Sequence, residues 1–208
     1  MDVMFTVFLV DDDAGVLKAL SRLLRAKGYD VQSFTSAQEF LDGHVATLPG
    51  CAVFDVSMPG LDGLALQQVF NAGGNQRPII FITGQGDIPK SVSAMKAGAI
   101  DFLTKPVDEK NLLIAIARAE EYDAGIRQTQ HELAAVQGKI AGLTPREREV
   151  LAHVIAGRLN KQIAADLGTV EKTIKVHRGR MMGKLGVRTV ADLVRLAEKA
   201  GISAWPNS

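Results

Sequence analysis

The chain has 208 residues, 47% of them hydrophobic, with one cysteine and a formal net charge of +1. That length exceeds the usual single-domain size of roughly 100 to 150 residues, so two modest domains are expected. Cys51 alone excludes an internal disulfide framework, and no apolar run approaches the ~20 residues that span a bilayer.

The chain opens on an apolar, β-rich run, "MFTVFLV", which lacks the basic flank and cleavage site of a signal peptide and reads as a strand. It is followed by the helical pattern "AGVLKALSRLLRAKG", then by the strand-helix pairs "DVQSF" with "SAQEFLDG" and "CAVFDV" with "LDGLALQQVFN". "PIIFIT" with "DIPKSVSAMKAG" and "AIDFLTK" with "DEKNLLIAIARAEE" complete the series. Five alternating pairs predict an α/β fold, a doubly wound (βα)5 parallel sheet covered on both faces. Function then belongs beyond the carboxyl ends of the strands. Those ends carry Asp11 and Asp12 after strand 1, Asp55 on strand 3, Thr83 on strand 4 and Thr104-Lys105-Pro106 on strand 5.

Three carboxylates repel one another unless a cation sits among them, and hard oxygen ligands suit Mg²⁺ or Mn²⁺. Phosphoryl transfer needs a nucleophile, positive charge on the transferring oxygens and hydrogen-bond donors. Asp55 can supply the first, a metal and Lys105 the second, and the Thr83 hydroxyl the third. Asp13 suits a helix cap better than a ligand. None of His44, His131, His153 and His177 falls at a recognisable site position in this first half.

From about 121 to 140, "EYDAGIRQTQHELAAVQGKI" has no proline and an apolar trace at seven-residue spacing, Leu112, Ala119, Ile126, Leu133 and Ile140. A long helix is predicted there, extending the fifth helix. It serves either as an amphipathic linker or, through Ile126, Leu133 and Ile140, as a short coiled coil with a second copy. The final third is helical in pattern. "LTPREREVLAHVIAG" opens with Thr144 as N-cap, Pro145 at N1 and Glu147 at N3, a capping box. "NKQIAADLG", "EKTIKVHRGRMMGKLG" and "TVADLVRLAEKAG" follow.

Charge divides the chain in the same way. Residues 1–122 hold 10 Lys and Arg against 15 Asp and Glu, whereas residues 123–208 hold 14 against 8. A basic half suits a polyanion such as nucleic acid. Its densest stretch, residues 172–188, contains Lys172, Lys175, Arg178, Arg180, Lys184 and Arg188 and no acid. At 100° per residue Ile174, Met181 and Leu185 share one side with His177 nearby, and Lys172, Lys175, Val176, Gly179 and Gly183 lie opposite.

The motifs "FLVDDD", "FDVSMPGLDG", "FITGQGDIP" and "AMKAGAIDFLTKP", in this order, resemble the receiver domain of bacterial two-component response regulators of the FixJ-like subgroup, over residues 4–120. The resemblance implies a flavodoxin-like receiver with Asp55 as phosphoacceptor, phosphorylated by a sensor histidine kinase. It further implies a metal held by Asp11, Asp12, Asp55 and the Ser57 backbone carbonyl, with Lys105 on the phosphoryl group and Lys105-Pro106 cis. Thr83 and Phe102 would form the switch, and Ser57 and Gln85 would tune phosphate lifetime. Met58-Pro59-Gly60 would form the tight loop that keeps Asp55 approachable.

Residues 140–198, "LTPREREVLAHVIAGRLNKQIAADLG" with "KTIKVHRGRMMGKLGVRTVADLVRL", resemble the LuxR-type helix-turn-helix. That implies an all-α four-helix domain whose third helix enters the major groove of double-stranded promoter DNA. Lys175 and Val176 are the candidate base readers; Arg178, Arg180 and Lys184 are candidate phosphate contacts, with Lys172 on the same face. Val170, whose side chain cannot cap, stands where relatives usually place Ser or Ala, and Thr169 could cap one residue early.

The expected organisation is thus a receiver over residues 1–121, a helical linker over 122–139 and a DNA-binding domain over 140–208. The expected activity is that of a phosphorylation-switched transcription factor in which phosphorylation promotes dimerisation, release of the domains from each other, or both, with RNA polymerase as a partner and only slow phosphorylation chemistry of its own. Soluble character and the reduced cysteine place it in the cytoplasm, with no membrane partner. Rival readings are a Mg²⁺-dependent phosphotransferase acting on a diffusible substrate, and a constitutive DNA-binding protein with a vestigial pocket.

Overall fold

The computed structural model describes residues 4–84 and 88–202. It forms two compact units, Met1–Arg127 and Gln128–Ser208. The first unit contains β1 (Thr6–Val10), α1 (Ala14–Ala26), β2 (Asp30–Phe34), α2 (Ala37–Gly43), β3 (Gly50–Asp55) and α3 (Gly63–Ala72). β4 (Ile79–Thr83), α4 (Ile88–Lys96), β5 (Asp101–Thr104) and α5 (Glu109–Ala141) follow. The strands pair in parallel in the order β2-β1-β3-β4-β5, the doubly wound sheet predicted from the alternating pattern.

Strand alternation sorts the core into two layers, because successive side chains point to opposite faces. Phe8, Phe54 and Phe81 project to one face and meet Phe34, Phe40 and Phe70 in a chain of edge-to-face and stacked rings. Val7, Leu9, Val53, Ile80 and Ile82 project to the other and meet Leu17, Leu20 and Leu24 of α1 and Leu112 and Ile116 of α5. Strands β1, β3 and β4 are buried along their whole length, as a sheet covered on both faces requires.

Register then assembles the pocket. Val10 pairs with Phe54, so Asp11 follows beside Asp55, and Thr83 pairs with Thr104, immediately before Lys105. The strand order reverses between β1 and β3, the point where open α/β sheets leave a crevice.

Helix α5 runs unbroken for 33 residues, through the receiver boundary expected at 121, as an extended fifth helix. All its fully buried positions, Leu112, Ala115, Ile116, Ala119 and Asp123, lie in the first half. The heptad trace therefore serves two cores. Leu112 and Ala119 pack within the first unit, Ile126 and Leu133 are half-buried, and Ile140 packs on the core of the second.

The second unit continues with α6 (Pro145–Ile155), α7 (Asn160–Asp166), α8 (Glu171–Leu185) and α9 (Val190–Lys199) around Leu143, Val150, Leu151, Ile163, Ile174, Met181, Leu185 and Leu193. The capping box of α6 is present in both its hydrogen bonds. α8 ends at Gly186, whose φ of 74° lies in the left-handed region open to glycine. The expectation that Thr169 caps α8 is not met: the N-cap is Val170, whose side chain has no oxygen to offer, and no side chain caps this end. Among the described residues no helix is long and apolar enough to cross a membrane.

Candidate functional site

Asp11, Asp12 and Asp55 each offer an oxygen within 4.8 Å of the others. Asp11 and Asp55 are buried, while Asp12 is exposed at the mouth. Their surroundings distinguish the three. Asp11 accepts the Asp13 amide at 2.9 Å and the Lys105 ammonium at 2.7 Å. Asp55 lies 3.3 Å from the same ammonium through Oδ2, and its buried Oδ1 has no hydrogen-bond partner among the described residues. Asp13 turns away to cap α1, accepting the amides of Gly15 and Val16, as expected of it.

Burial raises the Asp55 pKa above the usual carboxylate value, and the charge of Asp11 adds to the rise; Lys105 and the Ser57 backbone amide offset part of it. Burial also disfavours the Lys105 ammonium, but its hydrogen bond to Asp11 and the charges of both carboxylates prevail and raise its pKa. The pocket is an acid pair sharing one lysine, with an unsatisfied oxygen facing inward. A buried carboxylate oxygen without a donor asks for a cation or a proton. The all-oxygen donor set fits a hard divalent cation such as Mg²⁺.

The loop after β3 holds this arrangement in place. Gly60 adopts φ 78°, Met58 is buried, and Gly63 approaches Asp55 so closely that a Cβ there would lie 2.3 Å from the Asp55 carbonyl oxygen. Thr83 is buried at the end of β4, and its carbonyl accepts the Lys105 amide at 2.7 Å. Lys105-Pro106 is cis, as the resemblance implied. Phe102 is half-buried against the aromatic layer, 6.2 Å from Phe81 between ring centres. Ser57 is exposed beside the pocket, and Gln85 lies outside the described residues.

In the second unit Ile174, Met181 and Leu185 are buried, His177 is half-buried, and Lys172, Lys175, Val176, Gly179 and Gly183 are exposed, as the helical spacing predicted; Arg180 is exposed as well. Lys175 pairs with Glu171 one turn earlier at 3.1 Å. Arg178 donates to Asn160 on α7 at 2.9 Å, and Lys184 donates to Glu147 on α6 at 2.7 Å. A Cβ added at Gly179 or Gly183 would meet no atom within 4 Å.

Three polar residues at the amino ends of the strands were not anticipated. Arg77 is 9% exposed, lies 3.9 Å over the Phe8 ring and donates to the carbonyls of Val45, Ala46 and Leu48. Burial lowers its pKa to about 10 against the favourable charge of Asp123. Buried Asp123 accepts from Arg127 at 2.6 Å, and Arg127 donates onward to the carbonyls of Thr47 and Leu48. The Asp123 and Arg127 spacing of i,i+4 was the one readable signal.

The sheet and its acidic crevice are those of a receiver domain, and the helical unit is a helix-turn-helix. Comparison with known proteins agrees: residues 7–117 match the response regulator receiver domain family, and residues 141–197 the luxR family of bacterial regulatory proteins. The chain is 44% identical over 198 residues to nodulation protein W of Bradyrhizobium diazoefficiens, covering 95% of this chain and 87% of that protein. It is 41% identical over 197 residues to the transcriptional regulatory protein FixJ of Azorhizobium caulinodans, covering 95% and 93%. The solved structure of response regulator StyR aligns with a TM-score of 0.81 at 46% identity, covering 94% of this chain and 99% of that one. Full-length FixJ from B. japonicum aligns with a TM-score of 0.57 at 39% identity, covering 95% and 98%.

The chain belongs to the FixJ-like response regulators, which join a receiver domain to a LuxR-type DNA-binding domain. This is a family of transcriptional regulators rather than of enzymes. A receiver implies a sensor kinase as partner, and a LuxR-type domain implies DNA.

Proposed function

We propose that Asp55 accepts a phosphoryl group from a phosphohistidine on a sensor kinase and that this event controls promoter binding by the second unit. An Asp55 carboxylate oxygen attacks phosphorus, the new P–O bond forms as the P–N bond breaks, and the leaving imidazole nitrogen keeps the electron pair and takes up a proton. The observation that carries this reading is the buried, donor-free Oδ1 of Asp55 next to a lysine already shared with Asp11.

Asp11, Asp12, Asp55 and the Ser57 carbonyl would hold Mg²⁺ or Mn²⁺, which when bound neutralises charge on the phosphoryl oxygens. Lys105 turns from Asp11 toward the phosphoryl group, which then presents a stronger acceptor than either carboxylate. Thr83 supplies a hydroxyl to the phosphoryl oxygens, and Phe102 follows it inward, changing the surface beside β5. The chemistry on Asp55 is slow self-phosphorylation and self-dephosphorylation, without turnover of a diffusible substrate.

Lys172, Lys175, Val176 and Arg180 form the exposed face of α8 offered to the major groove, with Lys175 and Val176 at base edges. Phosphorylation favours a homodimer, so that two units meet a two-fold-related site and engage RNA polymerase. The protein works in the cytoplasm.

The test is intact mass after incubation with acetyl phosphate and Mg²⁺, followed by light scattering with beryllofluoride. The expected result is a gain of one phosphoryl group and a shift to dimer, both absent in Asp55→Asn. Phosphorylation that persists in Asp55→Asn would overturn the assignment.

A further inference from the structure

Lys175 pairs with Glu171 within α8, and the other four cations of the helix fall into two groups. Lys184 Nζ donates to Glu147 Oε2 at 2.7 Å and lies 3.4 Å from the Gly142 carbonyl oxygen. The same Glu147 oxygen accepts the Thr144 amide at 2.9 Å, so one 3%-exposed carboxylate closes the capping box of α6 and anchors the far end of α8. Arg178 donates to Asn160, the first residue of α7. Lys172 and Arg180 are exposed and, among the described residues, make no hydrogen bond or ion pair.

Resting on the reading of α8 as the DNA-binding helix, we propose that Lys184 and Arg178 are positioning residues that fix its rotation and height, while Lys172 and Arg180 neutralise phosphate. A lysine that leaves Glu147 for a phosphate strands a buried carboxylate, and breaking such a pair from one side is costly. Lys184 is therefore held in place. The apolar contacts of Ile174, Met181 and Leu185 are non-directional and leave the helix free to roll slightly in its groove. Side chains reach about 5 to 6 Å from the helix axis, so a roll of ~20° moves their tips by about 2 Å. That is enough to break a bidentate hydrogen bond to a base edge. Two directional bonds, one to α7 and one to α6, prevent the roll from either side.

The experiment uses the full chain with acetyl phosphate and Mg²⁺. It is titrated against a labelled duplex that the wild-type chain selects from a random library, and against a scrambled duplex, between 50 and 200 mM salt. Lys172→Met and Arg180→Met are expected each to reduce the slope of log affinity against log salt by about 0.9, one phosphate's worth, and to weaken both duplexes alike. Lys184→Met and Arg178→Met are expected to leave the slope unchanged and to lower the ratio of selected to scrambled affinity at least tenfold. Lys184→Arg restores that ratio.

Circular dichroism confirms that each variant is folded at the assay temperature. A residue that only stabilised the fold would leave discrimination by the folded protein intact. Glu147→Gln supplies a second route, reproducing the Lys184→Met loss, with the double variant no worse than either single one. A slope that falls by about one phosphate in Lys184→Met or Arg178→Met, or a discrimination ratio unchanged in either, overturns the proposal. A wild-type chain that selects no duplex removes the DNA reading itself, and the proposal with it.

Discussion

The ammonium of Lys105 sits 2.7 Å from Asp11, closer than the 3.3 Å that separates it from Asp55. One positive charge is thus unevenly divided between two buried acids, and it competes with any divalent cation for the same field. Lys105→Gln should therefore tighten Mn²⁺ binding by roughly 3- to 10-fold, while slowing phosphoryl incorporation from acetyl phosphate. Isothermal titration with Mn²⁺ reads the first effect and intact mass the second. An unchanged Mn²⁺ affinity would show that the lysine does not compete for the field of the carboxylates.

Acid should loosen the second unit at a predictable place. The Lys184 ammonium, and then the Thr144 amide, hold the Glu147 carboxyl at about 2, below its ordinary 4.5. A carboxylate whose pKa is depressed by folding stabilises the native state above its unfolded pKa and ceases to do so as pH falls through its folded one. The contribution is complete above about pH 5 and drains away between 4.5 and 2. Melting of wild type and Glu147→Gln should differ at pH 6 and converge toward pH 3. A gap that stays constant over that range would reject the assignment.

The polar cluster opposite the acidic crevice should be a point of local stability. Asp123→Ala leaves Arg77 and Arg127 facing each other without their carboxylate. Because Arg127 is about one-third exposed, the buried-pair cost is reduced to about 2 kcal/mol. Hydrogen exchange in α5 peptides from 112 to 127 should quicken by roughly 30-fold, with little change in α8. Equal acceleration in both units would contradict this.

Two glycine substitutions should act in opposite directions. Gly63→Ala places a Cβ 2.3 Å from the Asp55 carbonyl, a backbone atom that cannot step aside without moving the end of β3. It should cost about 3 kcal/mol and lower phosphoryl acceptance together with stability. Gly179→Ala meets nothing and should raise the melting temperature through a helix-propensity gain of up to ~1 kcal/mol. Thermal melts of the two variants check both signs.

The sheet and its crevice were readable because they rest on local patterns. Runs such as "CAVFDV" carry their burial in composition, and Asp11, Asp55, Thr83 and Lys105 each stand at a strand end that the pattern locates. The capping box was readable for the same reason, since Thr144 and Glu147 are three residues apart. What escaped depends on distance in the chain. Lys184 and Glu147 are separated by 37 positions, and a lysine in a basic run looks the same whether it meets a phosphate or a buried acid. Arg77 gave no sign of its burial, because arginine is ordinarily solvated and its carbonyl partners belong to a loop some 30 residues away. The seven-residue trace joins residues of two cores on one helix: Leu112 and Ala119 pack in the first and Ile140 in the second, with half-buried Ile126 and Leu133 between them.

That shared helix bears on how the protein can be cut. Residues matched to the receiver family stop at 117, and the receiver expected from the sequence ends at 121, yet Asp123 and Arg127 lie beyond both and hold the same loop that Arg77 binds. A receiver fragment ending at either position would carry a buried guanidinium without the favourable charge of Asp123. Any stability lost in such a fragment would then be mistaken for dependence on the DNA-binding half. A fragment meant to report on the receiver alone has to run at least one turn past Arg127.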